Sequence, residues 1–478
     1  MTNGYEIVSG NQHGLHDVAE FIETLNERGA LFESRSELTI ARAPGRLDVM
    51  GGIADYSGSL VLELPISEAT LVALQKDDSR QLRLVSLVDN KTLNFEMLLS
   101  DLERDGEPID YAEAQRYFKQ HWSAYVAGVF LVLSRELGVR FDHGARLLIS
   151  SRVPEGKGVS SSAALEVATM SAVVAAFGIE VGPRELALLC QQVENLVVGA
   201  PCGVMDQMTA ACGEANHLLS LVCQPAELQG SIKLPEDLAV WGLDSGVRHS
   251  IGTGDYGSVR AGTFMGYRII AELAGFTATQ SGAQVVIDDP RWGGYLANLS
   301  PSEYEERFAA HMPESLSGDE FIVHYGGTTD RVTKVDRERN YAIRAPTEHA
   351  IYESSRVKKF AELLDKQAVR SSLGDKMAMG ELMYASHDSY SACGLGSHGT
   401  DLLVGLVRSY GADQGLFGAK ITGGGSGGTV AVLGNSDAEP AVLDLAHRYA
   451  AMMGHEPHIF RGSSPGSAAF GRLIVRRN

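Results

Sequence analysis

Cysteines are few and basic side chains are outnumbered, and each shortage excludes a class of protein. The five cysteines among 478 residues form no C-x-x-C pair and show no zinc-finger spacing, so a disulfide framework or a structural zinc site is not expected. Lysine and arginine number 41 against 60 aspartates and glutamates, which leaves a net charge of −19. Nucleic acids and anionic membranes attract basic patches, and we expect neither as a partner.

Long apolar runs are missing as well. No uncharged apolar stretch approaches the roughly 20 residues of a membrane span. The N-terminal segment MTNGYEIVSG lacks a basic part followed by an apolar part, so no signal peptide is expected. Together with the scarce cysteines, these features predict a cytoplasmic protein.

What the chain does have is the composition and length of a multidomain globular protein. Strand-like and helix-like segments alternate without the strict rhythm of a doubly wound parallel sheet, which favours an α+β fold with mixed sheets. We expect one domain over residues 1–220 and a second over residues 221–478, with an irregular insertion around 275–345.

The segment ARAPGRLDVMGGIADYSG at 41–58 contains the first candidate site residues, Arg46 and Asp55. Pro44-Gly45 and Gly51-Gly52 predict turns, and the apolar runs on both sides predict flanking strands. An arginine and an aspartate on a tight loop between buried strands can face one small polar ligand. A surface turn closed by a salt bridge is the alternative.

The segment VPEGKGVSSSAALEVA at 153–168 places two glycines and three serines directly before a predicted helix. The N-terminus of a helix has unpaired N–H groups and a partial positive charge, which suit a phosphate. Gly156 and Gly158 allow the backbone to come close to it, and Ser160, Ser161 and Ser162 offer hydroxyl groups. We predict a phosphate site here, with a serine-capped buried helix as the alternative.

Two further segments complete the candidate site. TGGGSGGTVAVL at 422–433 matches G-x-G-x-x-G, but a strand follows instead of the helix that a dinucleotide site needs. We therefore predict a glycine-rich turn in close contact with a ligand or another backbone segment. GAPCGVMDQMTAACG at 199–213 contains Asp206 among apolar residues, and Glu194 lies shortly before it. One such carboxylate can act as a general base and the other as a ligand of the Mg²⁺ that accompanies nucleotide phosphates.

These loops, in their order and spacing, resemble the three motifs of the GHMP small-molecule kinases, the family of galactokinase, homoserine kinase, mevalonate kinase and phosphomevalonate kinase. The galactokinase branch has close counterparts of APGR…DY at 43–56, WSAYVAGV at 122–129, VSSSAALEVA at 159–168, APCGVMDQ at 200–207, the segment Asp244–Tyr256 and TGGGSGG at 422–428. The resemblance implies a two-domain fold with mixed β-sheets and helices, and an active site in the cleft between the domains.

The first motif departs from the galactokinase pattern at one point. Galactokinases have G-E-H-T-D-Y, in which the glutamate reaches the C6 hydroxyl of the sugar, and here Gly52 and Ile53 replace the glutamate and the histidine. L-Arabinose lacks that hydroxyl and would fit better, because a buried hydroxyl without a partner costs about 1–3 kcal/mol. The pattern resembles the kinase portion of plant-type L-arabinokinases, and we expect no counterpart here of their additional N-terminal region. Gly52→Glu is then expected to shift the preference towards galactose.

The resemblance implies ATP-dependent phosphorylation of the anomeric hydroxyl of L-arabinose. Asp206 would take the proton from that hydroxyl, and Arg46 would stabilise the transferring phosphoryl group. The residues implied in sugar binding are Asp55, Gly52, Ile53, Tyr256 and Gly203. Those implied in ATP binding are Gly156, Lys157, Gly158, Ser160, Ser161, Ser162, Ala163, Trp122, Gly424 and Gly425, and those implied in Mg²⁺ binding are Ser162 and Glu194.

Two other functions stay open at this point. A galactokinase with an unusual first motif would use the same residues on D-galactose. A galactokinase-like sugar sensor would bind ATP and sugar without catalysis, but such proteins can lose residues of the serine loop, and Ser161, Ser162, Ala163 and Asp206 are all present here. The expected partners are the sugar and ATP, and the expected state is a monomer or a homodimer.

Overall fold

A computed structural model of the protein describes residues 4–33, 36–88, 91–248, 255–282 and 284–477. Its strands are β1 Tyr5–Ser9, β2 Glu37–Met50, β3 Leu60–Asp77, β4 Gln81–Val88, β5 Lys91–Leu98, β6 Glu103–Arg104, β7 Glu107–Pro108, β8 Gly144–Ser151, β9 His217–Val222, β10 Glu227–Lys233, β11 Leu238–Asp244, β12 Thr277–Ser281, β13 Gln284–Asp288, β14 Ser315–Ser317, β15 Asn340–Ala342, β16 Leu416–Ile421, β17 Thr429–Asn435, β18 Ile459–Phe460 and β19 Leu473–Arg477.

The helices of the same ranges are α1 His16–Glu27, α2 Tyr111–Phe118, α3 Ala124–Leu137, α4 Ser161–Phe177, α5 Pro183–Gln192, α6 Met205–Cys212, α7 Asp255–Leu273, α8 Pro301–Arg307, α9 Gly318–Tyr325, α10 Arg344–Val369, α11 Leu373–Ala392, α12 His398–Tyr410, α13 Glu439–Met453 and α14 Ser467–Phe470. Two shorter elements matter for the site, a 3₁₀ turn over Gly52–Ser57 and a π-helical turn over Val193–Val198. Among the helices of these described ranges, none is long and apolar enough to cross a membrane.

The larger sheet has the order β1-β19-β2-β3-β8-β4-β5, and β9 connects β3 to β10. β4 and β8 run parallel, whereas β2, β3 and β9 pair antiparallel. One face of the central strands packs against α4 and α6, and α3 covers α4. The other face packs against α1 through an apolar cluster that includes Phe21 and Ile40. With both faces covered, β2 is buried along its length after Glu37.

The smaller sheet is antiparallel, with the order β16-β17-β11-β18. Helices α11 and α12 pack on β16, and α13 packs on α12. One apolar cluster, which includes Leu47, Leu62, Val240 and Phe460, contains residues of both sheets. This shared core holds the loops of the two sheets at a common cleft, and the mixed sheets with their helices confirm the predicted α+β class.

Residues 275–345 are more ordered than the sequence suggested. They contain the hairpin β12–β13, the helices α8 and α9, and the strand pair β14–β15. Trp292, Tyr304 and Phe321 are buried together with Met265 of α7 and Ile351 of α10. The expected irregular insertion is therefore a packed unit that is anchored on two long helices.

Two expected boundaries also change. The segment 41–58 is not a single tight loop, because β2 continues to Met50 with irregular register near Pro44 and Asp48. Residue 220 falls inside β9, which pairs with β3, and the last strand β19 returns to the same sheet. A division that follows the strand pairing comes after Lys233 and assigns residues 473–477 to the first unit.

Candidate active site

A cavity between the two sheets collects residues from all of the predicted loops. Its lining includes the following predicted residues: Arg46, Ile53, Asp55, Gly156, Gly158, Ser160, Ser161, Ser162, Glu194, Gly203, Asp206, Tyr256 and Gly424. Gly52, Trp122, Lys157, Ala163 and Gly425 are outside this lining. Residues 249–254, which belong to the resemblance over Asp244–Tyr256, lie outside the described residues.

Arg46 joins the predicted base to the phosphate loop. Its Nε lies 3.0 Å and its Nη2 2.8 Å from Oδ1 of Asp206. Its Nη1 donates a 2.7 Å hydrogen bond to the carbonyl oxygen of Gly158. Burial disfavours the guanidinium charge, but the carboxylates of Asp206 and Glu63 outweigh it and raise the pKa of Arg46. Arg46 is therefore a fixed cation between the two loops.

Glu63 of β3 is a second acid on this arginine, and no motif predicted it. Its Oε2 lies 3.3 Å from Nε of Arg46, and neither oxygen accepts a hydrogen bond from the described residues. Burial, and then the negative charge of Asp48, raise the pKa of Glu63 well above its usual range. Asp48 is itself paired with Lys420 at 2.5 Å. Arg46, Glu63, Asp48 and Lys420 therefore form a buried cluster of ionisable side chains.

The phosphate loop has the geometry of an anion site. Gly156, Gly158 and Ser160 all have positive φ angles of 62–70°, so the backbone turns tightly before α4 begins at Ser161. The side chain of Ser160 does not cap the helix, and its buried Oγ has no hydrogen-bond partner among the described residues. The serine-capped alternative is therefore wrong at this position, and the first N–H groups of α4 are available to an anion.

The third glycine-rich turn packs directly on the other two loops. A Cβ at Gly423 would lie 2.8 Å from the carbonyl oxygen of Gly158 and 3.1 Å from Nη2 of Arg46. A Cβ at Gly425 would lie 2.7 Å from Cβ of Leu395. Both glycines also have positive φ angles, 72° and 78°, so a larger residue is excluded twice over. The close approach predicted from the glycine content is confirmed, and the phosphate loop is one partner.

Glu194 lies on the π-helical turn, an element that is frequent at functional sites. It accepts hydrogen bonds from Ser162 and, at 2.6 Å, from Nε2 of Gln207. Burial, and then the negative charge of Asp206, raise its pKa to about 7. The same Nε2 lies 3.1 Å from Oε2 of Glu166, a fully buried acid of α4. Sequence reasoning missed this partner, although Glu166 is a single charge in an apolar run.

Ser162 and Glu194 have the chemistry of a partial Mg²⁺ site. Both supply oxygen atoms, and Mg²⁺ on nucleotide phosphates usually takes one or two protein carboxylates besides phosphate and water. Within the described ranges, no group of three or more histidine, cysteine, aspartate or glutamate side chains could hold a metal ion. Burial, and then the negative charge of Asp206, raise the pKa of Glu194, and a bound cation would favour its ionised form, so the residues fit this ion.

Asp55 is buried on the 3₁₀ turn and accepts a 2.6 Å hydrogen bond from the backbone N–H of Tyr56. Burial, and then the negative charge of Asp206, raise the pKa of Asp55 to about 7. A Cβ at Gly203 would lie 1.5 Å from Oδ2 of Asp55, so glycine at 203 makes room for this carboxylate. The ring of Tyr256 meets that of Tyr56 edge-on at 6.0 Å. Asp55 and Tyr256 therefore both line the cavity beside Gly203.

The structure separates Gly52 from Ile53. Ile53 lines the cavity, whereas Gly52 is covered by Tyr390 of α11, whose Oη would lie 1.7 Å from a Cβ at position 52. The same hydroxyl accepts a 2.9 Å hydrogen bond from the N–H of Ile53 and donates one of 3.0 Å to the carbonyl oxygen of Gly423. The expected shift towards galactose in Gly52→Glu stays a prediction, and the structure adds that the larger side chain requires Tyr390 to move.

Three residues predicted to bind ATP are engaged elsewhere. Nζ of Lys157 lies 2.6 Å from Oδ2 of Asp244 on β11. Trp122 packs edge-on against Phe95 with a centroid distance of 6.5 Å. Ala163 is fully buried inside α4. In this structure their side chains serve packing or ion pairing.

Comparisons with known proteins place the chain in a family. Residues 124–214 match the GHMP kinase N-terminal domain, and residues 30–76 match the galactokinase galactose-binding signature. The chain is 45% identical to an L-arabinokinase of Arabidopsis thaliana over 99% of its own length, and it spans 52% of that protein. It is 30% identical to a galactokinase of Chloroflexus aurantiacus, with 87% of this chain and 89% of that protein covered.

A solved structure shares the fold. The galactokinase of Lactococcus lactis complexed with galactose matches with a TM-score of 0.71 and 22% identity, covering 94% of this chain and 99% of that one. The family matches, with a helix N-terminus open to an anion and an arginine–aspartate pair in the same cavity, indicate the class of small-molecule kinases. The chain belongs to the GHMP kinase family, and within that family to the galactokinase branch. The resemblance drawn from the motifs is thereby confirmed.

Proposed function

We propose that the protein is an ATP-dependent sugar 1-kinase that converts L-arabinose to L-arabinose 1-phosphate. The observation that carries the proposal is the position of Arg46, which lies 2.8 Å from Asp206 and 2.7 Å from the Gly158 carbonyl oxygen. One cation thereby joins an acid that can accept a proton to a loop that can hold phosphates. Phosphoryl transfer depends on this kind of positioning and charge stabilisation.

In the proposed reaction the anomeric oxygen attacks the γ-phosphorus of ATP, the bond to the β,γ-bridging oxygen breaks, and ADP leaves. The proton of the hydroxyl group passes to a carboxylate oxygen of Asp206. Arg46 orients Asp206 and stabilises the negative charge on the transferring group. Arg46 itself stays protonated, because Asp206 and Glu63 raise its pKa against the effect of burial.

The phosphates of ATP are proposed to lie at the head of α4. The backbone of residues 156–162 and the unpartnered Ser160 hydroxyl supply the donors. Ser162 and Glu194 are proposed to hold Mg²⁺, which when bound neutralises charge on the β- and γ-phosphates. Gln207 keeps Glu194 in place through its 2.6 Å hydrogen bond.

The sugar is proposed to lie against Asp55, Tyr256, Gly203 and Ile53. An ionised Asp55 can accept hydrogen bonds from two adjacent hydroxyl groups. Ile53 offers no polar partner, so a hydroxymethyl group against it would lose its hydrogen bonds at a cost of about 1–3 kcal/mol. L-Arabinose lacks that group, and the name of the Arabidopsis relative, L-arabinokinase, supports the same substrate.

A galactokinase is the second candidate, because residues 30–76 match a galactose-binding signature and galactokinases occur among the relatives. An ADP-release assay with L-arabinose, D-galactose, D-glucuronate and L-fucose decides between them, with Asp206→Asn as the blank. We expect the kcat/KM for L-arabinose to exceed that for D-galactose by about tenfold or more. A preference for D-galactose would make the protein a galactokinase, and saturable sugar binding without ADP release would make it a sensor.

We also propose a reducing, cytoplasmic setting. All five cysteines, Cys190, Cys202, Cys212, Cys223 and Cys393, are free. Burial raises the thiol pKa of Cys190 and Cys223 well above the usual range, which keeps these thiols in their unreactive form. Disulfide-linked peptides in a digest of the protein isolated from cells would contradict this setting.

A further inference from the structure

The packed unit at 275–345 reaches the sugar end of the cavity through one ion pair. Asp330 accepts two 2.9 Å hydrogen bonds from Arg260 of α7, one from Nε and one from Nη2. Both side chains are buried. Asp330 is fixed in turn by the N–H groups of Val332 and Thr333 at 3.1 and 3.0 Å. A planar guanidinium held by two parallel hydrogen bonds along one edge has little freedom to turn.

The remaining contacts of Arg260 lead to the residues around Asp55. Its Nη1 donates a 3.1 Å hydrogen bond to the carbonyl oxygen of Cys202, the neighbour of Gly203. Its guanidinium carbon lies 5.2 Å from the centre of the Tyr56 ring, and Tyr56 follows Asp55 in the chain. The cation therefore lies behind the turn that carries Asp55 and favours its ionised form.

We propose that Asp330 acts on the sugar site through Arg260: it holds the guanidinium behind Asp55 and balances part of its positive charge, and so lets the packed unit set the charge that Asp55 presents to the sugar. The inference rests on the proposed sugar kinase function. It gives the unit at 275–345 a role in substrate binding, although none of its residues lines the cavity within the described ranges.

The charges around Asp55 decide the direction of each effect. The titratable or charged groups that face it are Asp206, Arg260, Tyr56, Tyr256, Cys223 and Tyr390. Arg260 is the cation in this set. Its removal disfavours ionised Asp55, whereas removal of the Asp330 charge leaves the field of Arg260 uncompensated and favours ionised Asp55.

The test is calorimetric titration of the full chain with L-arabinose at a series of pH values around neutrality. In the parent protein, affinity is expected to fall as the pH drops below about 7, because protonated Asp55 can no longer accept two hydroxyl groups. Arg260→Gln should move this midpoint upward and Asp330→Asn should move it downward, each by about one pH unit. Just below the parental midpoint the two variants should then differ in affinity by about tenfold or more.

Two matched variants separate charge from structure. Arg260→Lys keeps the charge but loses the paired hydrogen bonds to Asp330. The pH midpoint of sugar binding should therefore stay, while the sugar affinity falls. Asp319→Asn removes an exposed acid of the same unit, whose partner is the exposed Arg337, and should leave both quantities unchanged. Loss of one partner of a buried ion pair can destabilise the fold. The double variant Arg260→Gln/Asp330→Asn removes both charges together, and its midpoint is expected to lie between those of the two single variants.

The outcomes are distinct. Midpoints that do not move, or that move in the same direction in Arg260→Gln and Asp330→Asn, would overturn the inference and leave the proposed function intact. A parent protein that binds L-arabinose at no pH would overturn the proposed substrate, and the inference with it. Opposite shifts, with Arg260→Lys unshifted, would establish the role of Asp330.

Discussion

The two ends of the cavity are built in different ways. At the phosphate end, Gly158, Asp206 and Gly423 come from the three sequence motifs and converge on Arg46 within hydrogen-bonding or packing distance. At the sugar end, Ile53 is supported by Tyr390 of α11, and the surroundings of Asp55 include Arg260 of α7. The first end is built mainly by the motifs, with Glu63 of β3 as an addition, whereas the second depends on distant helices and on the unit at 275–345.

This difference suggests how the two ends can change independently. Donors and glycines at the phosphate end are fixed by backbone geometry, and a Cβ at Gly423 would strike both Arg46 and Gly158. The sugar end is lined by the side chains of Ile53 and Tyr256, which can be exchanged without altering the loop at 156–162. We therefore expect substitutions at the phosphate end to act on turnover, and those at the sugar end to act on the sugar KM.

The largest effect is expected from Asp206→Asn at the phosphate end. An amide cannot take the proton of the anomeric hydroxyl, so kcat should fall by about 10²–10⁴-fold, whereas sugar affinity should not fall, because Asp55 and Ile53 are retained and loss of the Asp206 charge favours ionised Asp55. Initial rates of ADP release and calorimetric sugar titration measure the two quantities.

Asp237→Asn is the control for that substitution, because it removes an acid that pairs with Lys376 at 2.7 Å at the start of β11. Its kcat should stay close to that of the parent protein. If Asp206→Asn retained more than about a tenth of the parental kcat, Asp206 would not be the general base.

A smaller and more selective effect is expected from Gly52→Ala at the sugar end. The new Cβ would lie 1.7 Å from Oη of Tyr390, so the tyrosine must move and its hydrogen bond to Ile53 is lost. Because Tyr390 holds Ile53, which lines the cavity, its displacement should raise the sugar KM about tenfold, while overpacking lowers the free energy of unfolding by about 1–3 kcal/mol. Sugar and ATP KM values and urea unfolding provide the measurements.

The double variant Gly52→Ala/Tyr390→Phe tests the cause. Removal of the hydroxyl relieves the 1.7 Å contact but leaves Cζ at 2.9 Å, so part of the lost stability should return. The positive φ of 46° at position 52 is shared by both backgrounds and cancels in the cycle. Strictly additive effects on stability would mean that Tyr390 does not restrict position 52.

The sequence predicted the backbone geometry of the phosphate end well, because its signals are local. Glycines and serines before an apolar helix, as at 156–162, indicate an anion site through the geometry of the backbone itself. The same reasoning placed Arg46 on a loop, whereas the structure has it on β2. A proline and a glycine usually indicate the end of a strand, but here the strand continues through them with irregular register.

The supports of the sugar end could not be predicted in this way. Tyr390 lies 337 residues after Ile53 in the chain, and Arg260 lies about 200 residues after Tyr56. Within their helices, both residues fit the pattern of ordinary helical positions. Glu63 and Glu166 are charges within apolar runs, which was a usable signal, but burial alone does not reveal a partner. Such residues become visible only once tertiary contacts are known.

The smallest effect is expected from Lys157→Met. This variant tests whether Lys157 contributes to ATP binding at the phosphate end. A lysine that contacts ATP phosphate forms a charge-assisted bond whose loss should raise the ATP KM about tenfold or more. The 2.6 Å ion pair with Asp244 predicts a change within about fivefold, because a partly exposed pair contributes about 1 kcal/mol or less. Glu155→Gln, at an exposed charge two residues earlier, is the matched control, and both variants should keep the parental sugar KM.

An ATP KM raised tenfold in Lys157→Met alone would mean that Lys157 leaves Asp244 when ATP binds, and that the second sheet contributes to nucleotide binding through this exchange.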